Sequence, residues 1–280
     1  MSHKEWASEK ATAPNSPIEF SLTGEFRSES QEDVRAGLLI INADDWGRDR
    51  ETTDRTLECS TRGTVSSVSA MVFMEDAERA AAIARGRGID TGLHLNFTTT
   101  FSAADCPSRL RENQRNIAAS LLRHRFSQVL FYPGLARSFE YVVSAQLEEF
   151  HRLYGMAPRR IDGHHHMHLC ANVLLARLLP AGTIVRRNFS FHRGEKSRAN
   201  IVYRRVVDRM LARRHRLVDF FFSLPPLAPP THAQKILSLA RHSKVELATH
   251  PVDPDEYRLL TGDEIFRWAG DCSIAPHFAG

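Results

Sequence analysis

An α/β fold with a parallel sheet is the class this 280-residue sequence predicts. Two observations carry it: apolar stretches of strand length alternate with longer helix-like stretches about seven times, and the apolar runs are continuous, as buried parallel strands require. A third observation narrows the class. No GxGxxG follows the first strand, which disfavours the dinucleotide-binding version of the fold. On these residues alone, a complete or incomplete barrel and a doubly wound sheet both remain open.

The strands are read in order. "GLLIINA" (37–43) is an apolar run ending in polar residues, and "TVSSVSAMVF" (64–73) is β-branched and follows Gly63. "DTGLHLNF" (90–97) follows the alanine-rich helical segment "EDAERAAAIARGRG". "RRIDGHH" (159–165), "GTIVRRN" (182–188), "LVDFFFSL" (217–224) and "KVELATH" (244–250) complete the set. Helices fall between them. "RTLECSTR" precedes the second strand, and "SFEYVVSAQLEEFHRLYG" precedes the fourth and stops at Gly155 with Pro158 beyond. "ANVLLARLLP" follows the fourth strand, and "HAQKILSLARHS" precedes the seventh. Residues 98–137 read as a helical insertion with a loop at "FYPG". There is no internal repeat.

Residues 1–36 are polar and rich in Ser, Glu and Pro, and read as a mobile extension with one short ordered piece at "IEFSL"; residues 37–280 read as a single domain. The opening residues lack the apolar centre of a secretory signal, and no apolar run approaches the roughly 18 residues of a membrane span. With 42% hydrophobic and 25% charged residues the chain can bury a substantial core. Its four cysteines, Cys59, Cys106, Cys170 and Cys272, stand singly, which excludes a cysteine zinc site of the CxxC kind and points to a reducing cytoplasm. Cys170 reads as a buried structural thiol. The net charge of +4 is concentrated at 193–216, a basic helix with a solvated face; it could also meet nucleic acid, an anionic membrane or a phosphorylated substrate, but no nucleic-acid motif accompanies it.

The ends of the strands carry the chemistry. The first ends in Asp44-Asp45, the third carries His94, the fourth runs into "RIDGHHHMHL", the fifth gives Arg186-Arg187, and the seventh gives His250. In parallel α/β folds the carboxyl ends of the strands share one rim, where active sites gather. Imidazoles and carboxylates brought together there suit a divalent metal and hydrolytic chemistry. An extended histidine run would point Asp162, His164, His166 and His168 to one side. Two adjacent aspartates can divide the labour, one holding metal and the other taking a proton; the competing role for either is to cap the following helix. His250, before Pro251, can supply a general acid, and Arg186 can bind an anion or orient a carboxylate.

"INADDWG", "GLHLNFT", "DGHHHMH" and "ELATHP", in that order, closely resemble the motifs of the YdjC-like carbohydrate deacetylases, the group that includes chitooligosaccharide deacetylase and the hopanoid-biosynthesis-associated deacetylase. The resemblance covers residues 37–262 and implies a (β/α) barrel-like fold, a distorted or incomplete barrel of about seven strands. It further implies one divalent ion, Mg²⁺ or Zn²⁺, held by Asp45, His94 and His164, with Asp44 as base and His250 as the late catalytic histidine. Arg186, His166 and His168 are expected at the substrate. The chain departs from the family pattern at Trp46, where Phe is usual, at Gly163, where Ser is common, at "RDRETTD", and at "PVDPDEY" after His250.

The expected reaction is hydrolysis of an N-acetyl group on an amino-sugar-containing carbohydrate, with phosphate- and lipid-linked sugars among the candidate substrates and a homo-oligomer left open. No nucleic-acid partner is expected. The alternatives are another metal-dependent amide, ester or phosphoester hydrolase, and a catalytically silent carbohydrate- or protein-binding barrel.

Overall fold

The computed structural model describes residues 37–124, 126–191, 195–225, 230–270 and 272–278. The expected extension at 1–36, with its "IEFSL" piece, lies outside them. Seven parallel strands form one sheet: β1 (Leu38–Trp46), β2 (Ser67–Ala70), β3 (Thr91–Leu95), β4 (Arg160–Gly163), β5 (Ile184–Val185), β6 (Phe220–Ser223) and β7 (Lys244–Thr249). Their order across the sheet is β5-β4-β3-β2-β1-β7-β6. The helices interleave: α1 (Arg50–Thr61), α2 (Ala77–Arg87), α3 (Ser108–Leu121), α4 (Ala136–Tyr154), α5 (Ala171–Leu175), α6 (Arg198–Ala212), α7 (Pro230–Ala240), α8 (Pro254–Thr261) and α9 (Glu264–Ala269). None of the described helices is long and apolar enough to cross a membrane.

The sheet curls into an incomplete barrel whose seam lies between β5 and β6. Near the amino ends, Val185 N–H donates to Arg216 O at 2.9 Å and Arg216 N–H to Thr183 O at 3.0 Å. Near the carboxyl ends, Ser190 N–H donates to Phe221 O at 2.7 Å. Two loops thus do what an eighth strand does in a closed barrel.

Strand alternation sorts the side chains. Leu39, Ile41, Val68, Leu93, Ile161, Val185, Val245 and Leu247 join the core beneath the helices. α4 contributes Phe139, Val142, Val143, Phe150 and Leu153 from one stripe and stops at Gly155, whose φ of 73° only glycine adopts without strain. α2 packs through Ala77, Ala80 and Ala81, small enough for the chain at Gly47 to approach closely. The other face of the strands looks into the barrel. At its amino end Ile40, Ile184 and Val218 pack with Ala275 and Phe278 of the chain's last described segment, which plugs the barrel. Above the plug the interior is polar: Asn42, Ser67, Ser69, Arg160, Asp162, Arg186 and Glu246 are all buried. Gly92 makes room for Arg160, because a Cβ there would stand 2.8 Å from Arg160 Nε.

The insertion at 98–137 consists of α3 and two short 3₁₀ turns, Ser127–Val129 and Pro133–Leu135. The second includes the proline and glycine of "FYPG". All four cysteines are buried and free, and burial pushes the Cys170 thiol up to about 12.

Candidate active site

Two adjacent residues of a regular strand face opposite ways, yet Asp44 and Asp45 are both buried at the same site. The strand makes this possible by breaking step: the β1–β2 register shifts between Ala43 and Trp46, and Asp45 takes a left-handed φ of 64°. Aspartate tolerates that region better than most side chains, at a cost of about 1 kcal/mol or more. Helix capping falls instead to Asp49, whose carboxylate accepts from Thr52 N–H at 2.8 Å.

The histidine run departs from the extended expectation. Strand β4 ends at Gly163, and residues 164–169 form a tight helical turn in which His165 and His166 are left-handed, with φ of 53° and 57°. The rings therefore meet different partners. His164 turns to Asp45, with Nδ1 2.9 Å from Oδ1. His165 is exposed and meets Thr98 Oγ1 at 3.0 Å. His168 turns down into the protein, with Nε2 2.9 Å from Arg186 O. Gly163 is needed under it, since a Cβ there would stand 2.9 Å from His168 Cβ.

Asp45, His94 and His164 are buried, and one ligand-type atom from each lies within 4.8 Å of the others. His94 Nε2 is 3.3 Å from Asp45 Oδ1, while its Nδ1 is 2.7 Å from Asp162 Oδ1. That carboxylate fixes the ring's orientation and tautomer, the usual arrangement behind a metal-ligating histidine. Asp162 is fixed in turn by Ser69, whose hydroxyl donates to it at 2.7 Å. Burial would depress the His94 pKa, but the charges of Asp162 and Asp44 prevail and raise it to about 10. Inside the barrel the acids Asp44, Asp45, Asp162 and Glu246 outnumber the guanidiniums Arg160 and Arg186. A surplus of buried negative charge facing two imidazoles is a donor set that fits a divalent cation.

Arg186 is the hub of the interior. Its guanidinium donates to Asp44 through two nitrogens, at 2.7 and 2.8 Å, to Asp162 at 2.8 Å and to Glu246 at 2.7 Å. Burial pushes the Asp44 pKa up, but the Arg186 charge, helped by His94, holds it below the usual carboxylate value. Asp162 is lowered by the same balance, and burial raises Glu246.

Of the two roles open to Arg186, binding an anion or orienting a carboxylate, the contacts match the second, and His168 points inward. Arg186 is 1% exposed and His168 0%, with Arg186 spent on three carboxylates. Burial pushes His168 down to about 4 and His166 to about 3, so both rings are neutral near pH 7. His166 is different in position: with His165 it lines a cavity of about 710 Å³ that reaches to Val129, Asn200 and Tyr203. His250 stands at the mouth, its side chain 44% exposed and its Nε2 3.9 Å from Asp44 Oδ2. Its backbone N–H donates to Glu256 at 2.6 Å, which holds the His-Pro turn against α8.

Asp162, expected only to share a side with the histidines, joins Glu246, Asn42, Arg160 and Arg48, which were not expected at the site. The first four alternate with apolar neighbours in strands, and that alternation was the available signal. Arg48, from the "RDRETTD" loop, reaches Asp45 Oδ2 at 3.1 Å, and nothing in strand periodicity announces it.

Fold and site together define an α/β barrel with a buried Asp–His cluster, able to hold a metal ion, at its carboxyl rim. The model of the YdjC-like protein family matches residues 38–269, and the chain belongs to that family. It is 32% identical over 133 residues to a chitooligosaccharide deacetylase of Enterobacter sp. (strain 638), covering 47% of this chain and 50% of that protein. A carbohydrate deacetylase of Mus musculus is 33% identical over 144 residues (48% and 44%), and one of Geobacillus stearothermophilus is 33% identical over 137 (48% and 51%). The chain thus spans about half the length of the curated relatives it matches. A solved structure of a candidate cellobiose-phosphate cleavage protein from Enterococcus faecalis V583 superimposes with a TM-score of 0.58 at 18% identity, covering 86% of this chain and 96% of that one. That likeness concerns the fold.

Proposed function

We propose that the chain is a metal-dependent carbohydrate deacetylase that hydrolyses the N-acetyl amide of an amino-sugar unit to acetate and a free amine. The observation that carries the reading is the convergence, on one rim, of three buried metal-type donors, a guanidinium-clamped aspartate and a solvent-reachable histidine. The names of the relatives support the substrate class.

Asp45, His94 and His164 would hold the ion, and Asp162 positions His94 for it. Bound there, a divalent ion such as Zn²⁺ or Mg²⁺ supplies Lewis-acid chemistry, acidifying water and polarising a carbonyl. Asp44 is ionised at neutral pH and held still by Arg186 and by Asn42, whose amide donates to it at 2.8 Å. It takes the proton from the water whose oxygen bonds to the acetyl carbon. His250 gives a proton to the nitrogen as the carbon–nitrogen bond breaks, so that the amine leaves neutral. Its Nε2 lies 3.9 Å from Asp44 Oδ2 at the mouth, so acid and base stand side by side where the amide would enter. No Ser or Cys nucleophile is required. The four buried free thiols support a reducing, cytoplasmic setting for this reaction.

The test is acetate release from a panel of N-acetylated sugars, using protein stripped with chelator and reloaded with Zn²⁺, Mg²⁺, Mn²⁺ or Co²⁺, beside Asp44→Asn. Metal-dependent release that the variant lacks is expected. Metal binding without acetate from any sugar would refute the reaction while leaving the cluster as a metal site.

A further inference from the structure

Eight of the eleven large hydrophobic side chains that stand exposed among the described residues fall in two short stretches, 122–131 and 202–206. Exposed hydrophobics that scatter singly need no explanation, whereas a cluster marks a binding surface. The two stretches are distant in sequence, yet Val129 and Tyr203 line the same 710 Å³ cavity, with His165 and His166 of the active-site turn between them. Both apolar stretches thus border a cavity whose wall includes His165, the chain neighbour of His164.

Charge adds a second, independent feature. Helix α6 buries Val207 and Leu211. At 100° per residue its opposite face carries Arg198, Val202, Arg205, Val206 and Arg209, continued by Arg213, and all four arginines are exposed. That face has no acid. The one carboxylate of the helix, Asp208, is turned to Arg187 at 2.8 Å and to Asn188. Val202 is 57% exposed and Val206 48%, so the arginines surround uncovered aliphatic carbon. An interfacial helix combines arginines at the headgroup level with apolar side chains, aliphatic and aromatic, that enter the acyl boundary.

We propose that this face, α6 together with residues 122–124 and 126–131, docks the protein on an anionic lipid bilayer. It thereby sets the cavity mouth against the membrane, where an acetylated sugar tethered to a lipid would enter. The tethered-substrate clause rests on the deacetylase reading; the docking does not.

The experiment is flotation of the full chain with phosphatidylcholine vesicles made with or without phosphatidylglycerol. Binding is expected only with the anionic lipid, weakening as salt rises. Each arginine near an anionic surface contributes about fivefold in affinity, so Arg205→Glu/Arg209→Glu should lose at least about 25-fold. Val202→Ser/Val206→Ser should also reduce binding, and both pairs should release acetate from a soluble N-acetylated oligosaccharide as the parent protein does. The docking is overturned if anionic vesicles are not bound, if neutral vesicles bind equally, or if both paired variants float like the parent. Retention on RNA without retention on vesicles overturns it too. Vesicle binding by a protein that deacetylates no sugar upholds the docking and sinks the deacetylase reading.

Discussion

Replacing Arg186 by methionine tests the barrel interior most directly. The guanidinium is fully buried and serves Asp44, Asp162 and Glu246 at once, while methionine keeps much of the volume and removes the charge. Breaking a buried ion pair from one side costs about 3–5 kcal/mol, because the partner stays buried and unpaired. Here three carboxylates lose the same partner, so the loss should reach at least the upper half of that range, against the roughly 5–15 kcal/mol that holds a typical domain together. The cost depends on pH with a definite sign. In the parent protein Asp44 and Asp162 have lowered pKa values, so their contribution is present above the ordinary carboxylate value and is lost as pH falls below it. In the variant the Arg186 charge is gone and both values rise relative to the parent, so the folded variant loses less stability than the parent as pH falls. Its deficit should therefore shrink as pH falls from neutral toward about 4. Urea unfolding of chelator-treated parent and variant, at neutral and mildly acid pH, measures both. A deficit under about 1 kcal/mol at neutral pH, or one that grows on acidification, would refute the claim that this guanidinium neutralises the interior.

Asp162→Asn should keep the fold but weaken the grip on His94 Nδ1, lowering Zn²⁺ affinity by about 10–100-fold in calorimetric titration; unchanged affinity would mean His94 needs no such support. His250→Gln should lower kcat by about 10²–10⁴ with Zn²⁺ affinity intact, and a variant that loses metal instead would move His250 into the ligand set. Gly92→Ala would press a methyl against the Arg160 guanidinium and should cost about 1–3 kcal/mol in urea unfolding; a neutral result would show that Arg160 can move aside freely.

Much of the frame was legible before any coordinates. The outward-facing residues of β1, β3 and β7 are apolar runs, helix α4 carries its stripe and its terminal Gly155, and the parallel class follows from those patterns because burial on one side of each strand is a local property of sequence. Asp44, Asp45, His94, the histidine run, Arg186 and His250 stand out by their positions at strand ends, and within the run only the family resemblance singled out His164. The inward side was harder. Asn42, Asp162 and Glu246 look like isolated polar interruptions until the barrel curls and joins them, through Ser69, Asp44 and Arg186, in one hydrogen-bonded network.

What the sequence by itself determined, then, is a parallel α/β chain with carboxylates and imidazoles at the strand ends, since periodicity and residue type are written locally. Tertiary structure alone decided which of them meet. A register shift at Asp45 and two left-handed histidines break the alternation that sequence reasoning assumes, sending His164 to Asp45, His166 to the cavity wall and His168 into the interior. Such backbone departures cost about 1–3 kcal/mol each and are held in place by contacts between residues distant along the chain, which no local pattern records.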